Sequence, residues 1–393
     1  NTSMLTNPGT EIFDKSDLQV AGKPFMMSEW TSSPPNQHKL EAVPMFGLYG
    51  MGLYGWDIST HFHGGNAWFG GGWPNWGIWE GNTPQHLGQF FAISRAVREG
   101  HVQEGAPAAA LHFTEDDAFR GIDSRPEVDP WLAAVGPRTV SFEAGTSSIV
   151  DIEEYRDGDL IHSRTGELSW STDSYFLVST DHTQGVVGRA GGLTHALPDV
   201  TVELETDFVS LLFTSLDGKK LSESESILIT AMAKDKQTGA MYSDDGSELT
   251  ALGGPPLLLE PVRAVLAFGG GALTDVRTLN EFGVPTDFVS DVDGNTVTLD
   301  GRWKTVWYHV RRGSVPENPD DGSDDPSGDD GGTDAGSTED GAASSDDWTT
   351  PSTDSDTEDA NKTSCGCAST PSPSHILPWL MAMVLAGARR HKV

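Results

Sequence analysis

Cysteine is absent from the first 364 residues; the chain's two cysteines are Cys365 and Cys367. That excludes a disulfide framework and thiolate chemistry from the globular part, and a lone C-x-C is too small to make a zinc site by itself. Positive charge is also scarce. Lys and Arg number 25 against 58 Asp and Glu, a net charge of −33 over 393 residues. Such a surface repels phosphates, which argues against a nucleic-acid partner and suits a secreted protein that handles neutral or cationic ligands. Residues 313 to 360 hold no Lys or Arg at all. Large apolar side chains are almost missing from 313 to 364, so this stretch cannot offset the entropy of ordering and is expected to be a disordered acidic linker, extended by self-repulsion. The chain opens on Asn1 and not on Met, in keeping with a processed product or a fragment.

What is present divides into three further regions. Residues 1 to 105 mix short apolar runs with helical patterns and carry half of the tryptophans. Residues 106 to 312 read as many short strands, such as "VTVELE", "FVSLLFTS" and "SILITAMA", separated by turn signals at Asp217-Gly218 and Asp293-Gly294. Strands at this spacing predict an antiparallel β-sandwich. "DVDGNTVTLDG", from Asp291, lacks the spacing of an EF-hand and reads as a hairpin turn. Residues 365 to 393 end the chain. Their uncharged, mostly apolar run from 376 to 388 is short for a membrane span and is followed by Arg389, Arg390, His391 and Lys392, which fits a short apolar helix held on the cytoplasmic side.

In the first region "GKPFMMSEW", residues 22 to 30, predicts a buried strand from Pro24 to Ser28, with Glu29 at its C-terminal end and Trp30 next to it. "HKLEAVPMFGLYGMGLYG" is apolar and loosely helical. "GWDIST" predicts a second strand. "TPQHLGQFFAISRAVREG" predicts a helix, with Thr83 as cap, Pro84 in the first turn, Gly100 as its end, and Leu87, Phe90, Phe91 and Val97 on one face. Strand, helix, strand, helix argues for parallel βα units. Taken alone, Glu29 is either a functional carboxylate at a strand end or a surface glutamate after an edge strand.

These phrases carry a resemblance. "GKPFMMSEW" resembles the seventh barrel strand of clan A glycoside hydrolases, "GLYGWDIST" their eighth, and "TPQHLGQFFAISRAVREGHV" their closing helix. "STDHTQGVVG" and "PPLLLEPV" resemble the domains that follow such barrels. The resemblance implies α/β plus all-β architecture: the last two βα units of a (β/α)8 barrel over residues 1 to 105, then the sandwich. It implies Glu29 as the nucleophile of a retaining β-glycosidase acting on polysaccharide or oligosaccharide, a chemistry that needs no cofactor. The acid/base carboxylate of that clan comes from an upstream Asn-Glu pair. None precedes Glu29 here, where the only earlier acids are Glu11, Asp14 and Asp17, so the first six units are expected to be missing from this chain. The tail, with Cys-Gly-Cys, an apolar run and terminal arginines, resembles myxobacterial surface-sorting tails. By that likeness Cys365 and Cys367 mark a processing site, and the tail is a membrane anchor until it is processed.

Other candidates surround Glu29. Trp30, Trp56 and Asp57 flank the strand ends; Asp57 either lines a pocket or bonds the backbone. The loop "HFHGGNAWFGGGWPNWGIWEGNTP" carries Trp68, Trp73, Trp76 and Trp79 among glycines, either as sugar-stacking rings or as a hydrophobic plug. Glu80 is the only carboxylate in that loop. His61 and His63 alternate along an extended segment, but without a third ligand they suit sugar hydroxyls or packing better than a metal. The rival to an enzyme is a non-catalytic surface protein for carbohydrate binding or adhesion.

Overall fold

The computed structural model describes residues 3–8, 12, 14, 19–30, 36–61, 83–120, 126–244, 246–289, 292–313 and 384–386. All of them belong to one compact unit, residues 1–315 with 380–393. The expected linker beyond residue 313 lies outside the described residues, as do Cys365 and Cys367.

The unit is built on a ten-stranded antiparallel sheet whose middle strands are Tyr175–Ser179, Thr183–Arg189, Phe208–Ser215, Ser226–Ala233 and Trp307–Arg312. All eight residues of Phe208–Ser215 are buried. Alternation explains how. Val209, Leu211 and Phe213 point to one face, where a five-stranded sheet containing Val200–Leu204, Ala264–Phe268 and Thr296–Leu299 supplies Val202, Leu266 and Val297. Leu212 points to the other face, together with Trp170, Phe176 and Val187 from neighbouring strands, and there it meets Tyr49, Leu48 and Phe46. One sheet thus separates two apolar cores, and the second core runs without a break across residue 105.

The layer over that second face comes from the first hundred residues. Met45–Leu53 is a nine-residue π-helix in which the Tyr54 N–H reaches back to Tyr49 O at 2.7 Å. Its glycines permit close packing: a Cβ on Gly50 would lie 2.6 Å from the Trp56 ring, and one on Gly47 would lie 2.2 Å from Ile93 Cγ2. The Pro84–Glu99 helix starts and stops where its capping signals place it. Thr83 accepts from the His86 N–H, and Gly100 takes the left-handed conformation at φ 66°. Its buried face differs from the expected apolar one. Gln85, His86, Gln89, Ala92, Ile93 and Ala96 face inward, while Phe91 is exposed. The helix docks on the large sheet, where Gln85 Nε2 donates to Ala233 O and Trp307 Nε1 donates to Gly88 O.

The expected partial (β/α)8 barrel is not found. Strand outweighs helix by 41% to 18%, in large antiparallel sheets. The two strands read as barrel strands, β1 (Met26–Trp30) and β2 (Ile58–His61), do pair in parallel. Among the described residues, however, their sheet has only three strands. The third, Val384–Ala386, runs antiparallel to β2, so strand stands at these three residues where an apolar helix was expected. The reason lies in the partners. A βα pattern specifies which faces are buried but not against what, and here the helix packs on an antiparallel sheet instead of on further parallel strands.

One ion pair joins the layers. Lys39 and Asp235 are both almost fully buried and bonded to each other. Burial lowers the pKa of the Lys39 ammonium and raises that of the Asp235 carboxyl, and each partner's charge opposes the other's shift. Removing one partner leaves a buried uncompensated charge. Lys39→Ala is expected to cost about 3–5 kcal/mol by denaturant unfolding, and a Lys39→Met/Asp235→Leu double variant should regain most of it. Equal losses in the single and double variants would contradict this.

Candidate functional site

The C-terminal ends of β1 and β2 lie side by side. Met26 pairs with Ile58 and Met27 with Ser59, but the next pair is Trp30 with His61. Three steps along β1 therefore match two along β2, a bulge at Ser28 and Glu29. A bulge ends strict alternation and re-aims the side chains it carries. Ser28 and Glu29 are both exposed and Trp30 is half-buried. Simple alternation, which sends Ser28 and Trp30 to the face opposite Glu29, does not describe this end of the strand.

Trp30 is held between rings. It stacks on Phe46 with centroids 4.4 Å apart and 11° between planes, and His61 meets it edge-on at 4.7 Å. His86, from the Pro84–Glu99 helix, lies 4.7 Å from the His61 ring and keeps its Nδ1 2.9 Å from Thr83 Oγ1. Burial, then the nearby His61 and Lys39, pushes the His86 pKa well below the usual range, so this imidazole stays neutral. Behind it, Gln89 Nε2 donates to Leu40 O and Gln85 O. The strand ends thus rest on a buried polar cluster. Its sequence signal is the 3.6-residue recurrence of Gln85, Gln89, Ala92, Ile93 and Ala96, which an apolar-only reading of the helix passes over.

A buried acid nearby in the chain, Glu41, had no such sequence signal. Glu41 is 1% exposed, and its carboxyl accepts hydrogen bonds from Ser3 Oγ at 2.7 Å and from the Met4 N–H. Burial outweighs these bonds and raises its pKa to about 8.

Two of the candidates lie elsewhere. Trp56 is 2% exposed, packed among Phe25, Phe46 and Tyr54, and offers no open ring face. Asp57 precedes β2 and its Oδ2 accepts from the Phe25 N–H at 2.9 Å. It sits beside Phe25, four residues before Glu29, which at about 3.3 Å per residue is roughly 13 Å along the strand. Retaining enzymes need their carboxylates about 5–5.5 Å apart and inverting ones about 6.5–9.5 Å. Asp57 is committed to the backbone near the start of β1, and Glu41 is enclosed. His63, Trp68, Trp73, Trp76, Trp79 and Glu80 fall outside the described residues. Among the described residues no cluster of three metal-ligating side chains occurs, and no helix is long and apolar enough to cross a membrane. No family model, curated protein or solved structure matches the chain.

The arrangement offers an exposed carboxylate on a bulge, next to a tryptophan fixed by its neighbours. That combination suits a ligand with hydroxyl groups and an apolar face.

Glu41 fixes a pH dependence. Its proton is retained in the fold up to about pH 8 but is released in the unfolded chain above about 4.5, so the folded state binds more protons between those values and stability falls as pH rises. The half-buried His38, lowered to about 4, has the opposite slope, but only below 6.5. Between about pH 6.5 and 8 the wild-type melting temperature should therefore fall, and Glu41→Gln should flatten that decline. Parallel slopes in the two proteins would show that Glu41 is ionised in the fold.

Proposed function

We propose that this chain is a carbohydrate-active protein displayed at the cell surface, with Glu29 as the nucleophile of a retaining β-glycosidase. The observation that carries the reading is the bulge at Ser28 and Glu29. It presents an exposed carboxylate at the C-terminal end of a strand in a parallel pair, next to the held Trp30, where parallel-sheet proteins place their ligands. The resemblance of "GKPFMMSEW" and "GLYGWDIST" to glycoside hydrolase strands supports the same role. Glu29 attacks the anomeric carbon, the glycosidic bond breaks to the leaving oxygen, and water then releases the glycosyl group. A retaining mechanism also needs a second carboxyl group to protonate the leaving oxygen; Asp57 is tied to the Phe25 backbone and Glu41 is enclosed, so neither is assigned that role.

That same lack of a placed second carboxylate favours one rival, a non-catalytic carbohydrate-binding protein that uses Glu29 and Trp30 to hold a sugar. Reducing-end release from a panel of β-linked polysaccharides separates the two. In the enzyme reading Glu29→Ala loses turnover, and added azide restores part of the cleavage, detected by mass spectrometry as the α-glycosyl azide because that product has no reducing end. Turnover that survives in Glu29→Ala removes Glu29 from the mechanism. Saturable polysaccharide binding without any turnover in the wild type favours the rival.

Display at the surface rests on the tail. Cys365→Ala/Cys367→Ala is expected to shift the protein between membrane, surface and medium on cell fractionation while leaving its melting curve unchanged. An identical distribution of the two proteins removes the cysteines from sorting.

A further inference from the structure

Near one edge of the large sheet, positive charge faces solvent in a strongly acidic chain. The neighbouring strands Leu273–Leu279, Trp307–Arg312 and Ser226–Ala233 place Arg277 beside His309 and Leu228, and Asp275 beside Arg311 and Ser226. Alternation puts these residues on the face where Trp307 meets the Pro84–Glu99 helix. Arg277, His309 and Arg311 are half-buried, so this end of the face reaches solvent.

Two consecutive arginines are used differently. Arg312 points to the other face, where its guanidinium donates to Leu221 O, Ser222 O and Gly269 O. The Arg311 guanidinium has no hydrogen bond or ion pair among the described residues. Its cross-strand neighbour Asp275 accepts from Arg277 Nε instead, at 3.0 and 3.2 Å. Arg277 is held on a second side by Phe288, whose ring centroid lies 3.8 Å from Arg277 Cζ. That phenylalanine is 61% exposed. Two guanidiniums against one carboxylate leave a positive balance, and the His309 imidazole registers it. Burial, then Arg311, lowers its pKa; Asp275 opposes them and Arg277 adds to them. The chain's net charge of −33 acts weakly here, since charges beyond about 8 Å are screened at physiological salt.

A guanidinium presents a planar fork that meets a carboxylate with two parallel bonds. Arg277 and Arg311 are diagonal neighbours on adjacent strands, about 7–8 Å apart at the backbone, so side chains of this length reach one anion together. The exposed Phe288 ring adds an apolar edge. We propose that Arg311, with Arg277, binds the carboxylate of a small organic acid whose apolar face rests against Phe288, on a different sheet from Glu29. No atom of Glu29 takes part, so the two sites stand or fall separately. A sugar acid and an acylated amino acid both present this chemistry. The competing state is a solvated arginine without a ligand.

Calorimetry on the full chain with glucuronate, N-benzoylglycine and inorganic phosphate tests the site, with the His309 imidazole followed by nitrogen-15 NMR. One of the two organic acids is expected to bind saturably, and which one separates the two sources. Binding should raise the His309 pKa, because the anion offsets Arg311. Arg311→Gln should weaken binding about tenfold and Phe288→Ala to a smaller extent, while Glu29→Ala leaves it unchanged. Near-UV circular dichroism checks that the variants fold, and if Arg311→Gln does not, Phe288→Ala carries the comparison. Absence of saturable binding to both acids leaves Arg311 a solvated cation and overturns the proposal. Phosphate bound as tightly as the acids marks an adventitious ion only and overturns it too. Wild-type affinity in Arg311→Gln has the same force, as does binding lost on Glu29→Ala alone, which places the acid at the other site.

Discussion

The architecture depends on burying one antiparallel sheet on both faces. Its Phe208–Ser215 strand has no residue that reaches solvent, so neither covering layer is optional. The five-stranded sheet closes one face with aliphatic side chains. The π-helix and the Pro84–Glu99 helix close the other, around Trp170, Tyr49 and Phe176. Trp170 shows how closely the layers are joined: its ring meets Tyr49 at 5.3 Å and Trp131 at 5.9 Å, and its N–H donates to Leu5 O. Uncovering this face would expose large aromatic surface, at about 25 cal/mol for each Å² of apolar area.

Covering a sheet with helices that carry polar groups has a consequence for chemistry. Lys39, Glu41, Gln85, His86 and Gln89 are enclosed because the backbone brings them to the layer contact, and each is tied to a specific partner. Desolvation then selects neutral forms. The Glu41 carboxyl is favoured as the acid and the His86 imidazole as the base, both by burial. These groups position the strand ends, since His86 meets His61 and His61 meets the edge of Trp30. The exposed Glu29 therefore sits on a framework whose polar members are held by the core.

The parallel pair has two chemically different ends. At one, the bulge turns Ser28 and Glu29 outward beside Trp30. At the other, Trp56 is enclosed among rings and the Asp57 carboxylate is bonded to the Phe25 backbone. Trp56 and Asp57 are close in sequence to the strand that ends in His61. An extended backbone carries that closeness roughly 3.3 Å per residue away, so sequence neighbours reach opposite ends.

Local signals decided what local physics controls. The caps at Thr83 and Gly100 bound the helix because they satisfy its own end groups. The short apolar runs "FVSLLFTS" and "SILITAMA", bounded by turn signals, made strands, because a strand buried on both faces is apolar on both. A strand was legible at "KPFMMSEW", but it runs from Met26 to Trp30 and only Met27 is buried, where a buried strand from Pro24 to Ser28 was expected. Partners were not legible. The parallel pair did not continue into a barrel, the helix buried its glutamines instead of Phe91, and Trp56 went to the core. Each outcome depends on which distant surface arrives to cover a face. Glu41 was one acid among many until Ser3 and the Met4 N–H, 38 and 37 residues away, closed over it. The bulge at Ser28 and Glu29 exists only in the register with β2, because it is a mismatch between two strands and belongs to neither alone.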